Sequence, residues 1–148
     1  MVAVEQPTPV RRWERAFTAD TDVVPMVRHN VRSELAKWGW DVGGERAGDL
    51  LLVLTELLTN AIRHGSRPGD FVVVRLDEHG ATCQVEVEDS RPDRLLPDEF
   101  TVCGEHGRGL ILVDDLALEV GVAATATTKK VWARVLADFA DDKPGAMR

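Results

Sequence analysis

Three short stretches of the sequence carry residue types able to do chemistry. The first is Glu56 and Asn60, followed by Arg63 and His64, inside a segment that is otherwise apolar (Leu50 to Leu54, Leu57, Leu58, Ala61, Ile62). A carboxylate can take up a proton, and an amide oxygen can ligate a hard cation. Four residues apart, the two stack on one face of a helix. An ionised carboxylate among leucines is costly unless it meets a cation, a water or a polar ligand. A polar pair between helices, or the edge of a solvated face, would use the same spacing, and His64 alone would complement a helix dipole at its C-terminus. The second stretch is the strand-like run ending in Asp89. There Val85 and Val87 share one parity while Gln84, Glu86 and Glu88 share the other, so Asp89 falls on the valine side and aims inward. Capping of the following turn is the alternative reading. The third stretch is His106-Gly107-Arg108-Gly109-Leu110. Paired glycines at a helix start let backbone N–H groups approach an anion, although they also serve a plain tight turn.

The elements that must position these residues follow from periodicity and punctuation. Arg11 to Thr18 alternates as a short strand, and residues 1–10, with Pro7 and Pro9, are expected to form a loose arm. Pro25 suits a helix's first turn, Val27, Val31, Leu35 and Trp38 recur at helical spacing, and Gly39 offers a left-handed stop. A second helix is predicted from about Glu45 to His64, closed by Gly65 with Pro68 beyond. Phe71–Leu76 and Thr82–Asp89 read as a hairpin across Asp77-Glu78-His79-Gly80. Ser90 to His106 has no period and exceeds the usual connection within a domain, a length typical of functional lids or else of disordered segments. A helix then opens at Gly107-Arg108-Gly109 and ends near Ala117. Strands of about Leu118–Ala123 and Lys130–Ala137 follow, then a polar tail over residues 138–148. The order βααββ–loop–αββ predicts one α+β domain over residues 11–137, a two-layer sandwich with a mixed, mainly antiparallel sheet and helices on one face.

Composition narrows the partners. The 148 residues hold 18 Lys and Arg against 25 Asp and Glu, a net charge of −7, which opposes a general binder of duplex DNA or anionic membranes. The sequence shows no membrane span and no leader, and its two cysteines, Cys83 and Cys103, form no CxxC, so a cytoplasmic protein is expected. The histidines at 29, 64, 79 and 106 lack metal-ligand spacing, and no P-loop or GxGxxG occurs.

Taken in order, the three stretches resemble the motifs of one superfamily. Glu56-Leu57-Leu58-Thr59-Asn60-Ala61-Ile62-Arg63-His64-Gly65 is similar to the N box of the GHKL (Bergerat-fold) ATPases. Val87-Glu88-Asp89 resembles the strand ending in their adenine-reading aspartate, and Gly107-Arg108-Gly109-Leu110-Ile111-Leu112-Val113 resembles their second glycine box. The branch most similar is that of the anti-sigma-factor serine/threonine kinases of bacterial partner switching, in the short form abundant in actinobacteria, down to the ending Lys130-Val131-Trp132-Ala133.

The resemblance implies ATP and Mg²⁺ as cofactors. It implies Asn60 as the metal ligand, Glu56 as the general base, and Arg63 and His64 near phosphates and sugar. Asp89 would accept from the adenine amino group, and the backbone N–H groups of Gly107, Arg108, Gly109 and Leu110 would line the phosphate site. It further implies an anti-anti-sigma (STAS-domain) substrate, a sigma factor held by sequestration, and a homodimer. A non-catalytic module acting by protein contact is the alternative. A sensor histidine kinase is disfavoured, because the ATP-binding fold uses the whole chain. Departures from the pattern are plain. The glycine run DxGxG reads Asp89-Ser90-Arg91-Pro92-Asp93, Thr128 and Lys130 stand for a glycine and a threonine, and Glu105 and His106 replace an arginine. Less backbone freedom after Asp89 implies a weaker hold on adenine.

Overall fold

The computed structural model describes residues 9–92 and 112–139. The element order is β1 (Arg11–Thr18), a 3-10 turn (Thr21–Val23), α1 (Val24–Lys37), α2 (Glu45–Gly65), β2 (Phe71–His79), β3 (Thr82–Asp89), β4 (Glu119–Ala124) and β5 (Lys129–Leu136). A further helical stretch covers residues 112–116, ahead of β4. The strands form one open sheet in the order β1-β2-β3-β5-β4, with each neighbouring pair antiparallel. Helices α1 and α2 pack on one face of it, the α+β sandwich expected. The expected Gly107–Leu110 helix start and most of the long connection lie outside the described residues.

Local chemistry explains the boundaries. The Asp20 carboxylate accepts the Asp22 N–H at 2.9 Å and caps the 3-10 turn, after which Pro25 sits in the first turn of α1. Val27, Val31 and Leu35 bury the inner face of α1, and Gly39, at φ 90°, takes the left-handed turn that ends it. Helix α2 is buried around much of its circumference, with Leu50, Val53, Leu54 and Leu58 fully enclosed. Each such side chain contributes about 1.5–3 kcal/mol relative to exposure. The hairpin strand β2 runs to His79 rather than ending at Leu76. Its two added acidic residues are held across the β1 ladder: Arg12 Nε donates to Asp77 at 2.6 Å and Arg11 Nη2 to Glu78 at 2.9 Å. Only Gly80 and Ala81 remain as the turn.

The sheet alternates as its pattern requires. Val72, Val74 and Leu76 of β2, Val85 and Val87 of β3, and Val131 of β5 face the helices. The other face is polar, and Arg75 holds it together by reaching Glu14 on β1 at 3.1 Å and, on β3, Glu86 at 2.8 Å and Glu88 at 2.7 Å. The inner face carries charge only near its ends. Glu78 is buried beside Arg11, whose guanidinium lies over the rings of Trp38 and Phe139. Asp89 is buried toward the opposite end.

Candidate nucleotide site

The last turns of α2 present Glu56 and Asn60, both half-buried, one turn apart. Neither side chain has a hydrogen bond or ion pair among the described residues. A half-buried carboxylate and amide left without protein partners on an apolar helix retain full capacity for a proton and a cation. His64 continues the stripe and is half-buried. Arg63 diverges from it. That side chain is exposed and lines a recess of about 400 Å³ with Thr18, Asp20, Ile62 and Arg67, whose walls include neither Asn60 nor Asp89.

Asp89 ends β3 on the helix side, 2% exposed. Its Oδ1 accepts the Arg91 backbone N–H at 3.0 Å, so the turn cap and the inward carboxylate are one and the same group. Its Oδ2 has no hydrogen bond. Burial pushes the Asp89 carboxyl above its ordinary range, against the pull of the Arg91 N–H and the Lys129 ammonium. The carboxylate lies directly on Gly65, where a Cβ would overlap it. Gly65 is therefore helical, not a left-handed stop, and its missing side chain is what lets the end of β3 seat against the last turn of α2. Asn60 lies five residues before Gly65, about 7.5 Å along the axis, and Glu56 about 13.5 Å. Asn60 therefore lies toward the end of α2 that meets Asp89, and Glu56 lies near the middle of the helix on the same face.

The neighbouring loop is braced. Asp70 accepts the Arg67 N–H at 2.8 Å and the Ser90 hydroxyl at 3.0 Å, tying the segment after α2 to the end of β3. These two bonds hold the Asp70 carboxyl below its usual range. Gly107, Arg108, Gly109 and Leu110 lie outside the described residues.

One site residue escapes a reading by motif. Lys129, at the start of β5, stands opposite Asp89 in the β3–β5 register with its Nζ 3.4 Å from Oδ2, and it is 2% exposed. Parity would have found it, since Lys129 shares the inward face with Val131, Ala133 and Val135.

The donor set suits a metal carried by phosphates. Among the described residues no group of three or more His, Cys, Asp or Glu could hold an ion. Asn60 offers a single partner-free amide, which fits Mg²⁺, an ion usually bound through one or two protein oxygens together with phosphates and water.

Comparison with known proteins bears on the fold and the family. A search of the curated proteins returns no match. Among solved structures, the chain is similar to the RsbU and RsbW domains of Rv1364c from Mycobacterium tuberculosis. The TM-score is 0.64 at 19% identity, over 94% of this chain and 36% of that one. It is also similar to the histidine kinase domain of the Erythrobacter litoralis EL346 blue-light activated histidine kinase, with a TM-score of 0.50 at 21% identity, over 76% of this chain and 60% of that one. The chain therefore spans about a third and about three fifths of those two chains. The profile of the histidine kinase-like ATPase domain matches residues 17–135, from the end of β1 to the end of β5 and across every site residue described above. The chain belongs to the histidine kinase-like ATPase domain family.

Proposed function

We propose that this chain is an ATP-dependent serine/threonine protein kinase that phosphorylates an anti-anti-sigma (STAS-domain) antagonist and sequesters a sigma factor. The observation that carries the reading is the pair Glu56 and Asn60, half-buried, one turn apart and without hydrogen bonds or ion pairs among the described residues, on a largely buried helix. The likeness to a chain that carries an RsbW domain supports the partner-switching setting.

In this reading Asn60 ligates Mg²⁺, and His64 and Arg63 lie toward phosphates and sugar. Gly107, Arg108, Gly109 and Leu110 line the phosphates, and Asp89 accepts from the base. Mg²⁺, when bound, neutralises charge on the phosphate oxygens. The protein's own part is positioning and proton removal. Glu56 takes the proton of the acceptor hydroxyl as its oxygen bonds to the γ-phosphorus. The bond from that phosphorus to the bridging oxygen breaks, and its electron pair leaves with ADP.

The test is calorimetric titration with Mg·ATP. Wild type should bind saturably, and Asn60→Ala should lose most of the magnesium-dependent affinity while keeping its fold, since alanine is the better helix former. Equal affinity in both proteins would remove Asn60 from the site.

A further inference from the structure

The buried pair Asp89–Lys129 bears on which ligands this site distinguishes. Asp89 Oδ2 is the one atom of the site that is enclosed, charged and without a hydrogen bond. The group nearest to it in the ion-pair geometry is not a solvent-facing cation but Lys129, equally enclosed, with Nζ at 3.4 Å. Backbone register favours the pairing: Asp89 and Lys129 are directly opposed at the end of the β3–β5 ladder, so both side chains leave from the inner face, where they meet. Gly65 closes the other side, where its bare backbone takes the carboxylate. A buried ammonium cannot leave its counter-ion without a large desolvation cost, and a neutral amino group is the weaker donor to a carboxylate.

We infer that Lys129 is a specificity-determining residue that occupies the base-reading carboxylate from within the protein. A purine amino group reaches Asp89 only in competition with the lysine. Binding of a nucleoside triphosphate then rests on its metal and phosphates, and the site distinguishes adenine poorly from other bases. The inference rests on the proposed role of Asp89 in base reading and adds a residue that opposes it.

The test compares three magnesium-bound probes on the full chain by calorimetry: ATP, GTP and inorganic tripolyphosphate, which has no base. Wild type should bind all three within about threefold of one another, as expected when no hydrogen bond to a charged group is gained from the base. Lys129→Gln is one atom shorter and removes the charge, leaving at most a neutral amide donor withdrawn from Asp89. In that variant ATP should gain about tenfold or more over the other two, the value of one recovered charge-assisted bond. Wild type that already prefers ATP over tripolyphosphate by tenfold overturns the inference and leaves the nucleotide site standing. A folded Lys129→Gln variant with no ATP gain overturns it as well. Absence of binding for every probe in both proteins removes the nucleotide reading together with this one. Should the variant fail to fold, the wild-type series decides alone.

Discussion

At Gly65 the want of a single methyl group joins two parts of the site. The helix was expected to close at Gly65, and Gly65 is its last helical residue, with its surface filled by the Asp89 carboxylate. Gly65→Ala should raise helix propensity by up to about 1 kcal/mol. It should lose more than that, because overpacking costs about 1–3 kcal/mol and the displaced group is one half of a buried ion pair. The expected outcome is a lower urea midpoint at unchanged m-value, and an alanine variant as stable as wild type would contradict the packing described. Residue-level chemistry was legible where it formed a motif: Glu56 and Asn60 are where helical spacing put them, and strand parity put Asp89 inward. The inward face of Lys129 was open to a parity reading, but its pairing was not legible, because the partner lies forty residues away across a ladder. Strand pairing of that kind is fixed by the whole sheet, not by either segment.

The elements themselves were readable to within a few residues. The exception is the far end of β2, and it is instructive. Asp77 and Glu78 look like turn residues by type, but they continue the strand because Arg11 and Arg12 on β1 pair with them. Tertiary partners outweighed local propensity. A parallel case holds on the open face, where Arg75 joins three strands. Burial works against ionisation of Glu88, but Arg75 and the Thr128 hydroxyl outweigh it and hold the carboxyl below its ordinary range. A depressed carboxyl contributes stability that is full above its unfolded pKa and is lost as pH falls through the folded value. Wild type should therefore lose stability on acidification below the ordinary glutamate range. Arg75→Met should be less stable at neutral pH by about 1–3 kcal/mol, having left carboxylates partly buried without their donor. It should also show a flatter acid limb. Urea midpoints across pH 3–7 check both, and parallel curves for the two proteins would contradict the account. The Glu14 contact, half exposed, contributes little to this difference.

Among the described residues the molecule is a single five-stranded sheet with one helical layer, the α+β sandwich that the order of elements anticipated. Among the described residues no helix is long and apolar enough to cross a membrane. The net charge of −7 opposes general binding of nucleic acid. Membership of the ATPase family follows from the match over residues 17–135. In the proposed function, transfer of a γ-phosphate depends on one carboxylate, Glu56. The most direct measurement is transfer of radiolabelled phosphate from Mg·ATP to STAS-domain proteins encoded in the same genome, by wild type and by Glu56→Gln. That substitution is nearly isosteric on a half-buried helix position and leaves Asn60 untouched. The account predicts that both proteins bind Mg·ATP alike, that wild type labels a serine or threonine of one candidate, and that the variant does so about 10²–10⁴-fold more slowly, the usual cost of a lost general base. A Glu56→Gln variant that transfers phosphate at the wild-type rate would contradict the mechanism, and a wild type inert toward every candidate would make the chain a regulator acting by protein contact alone.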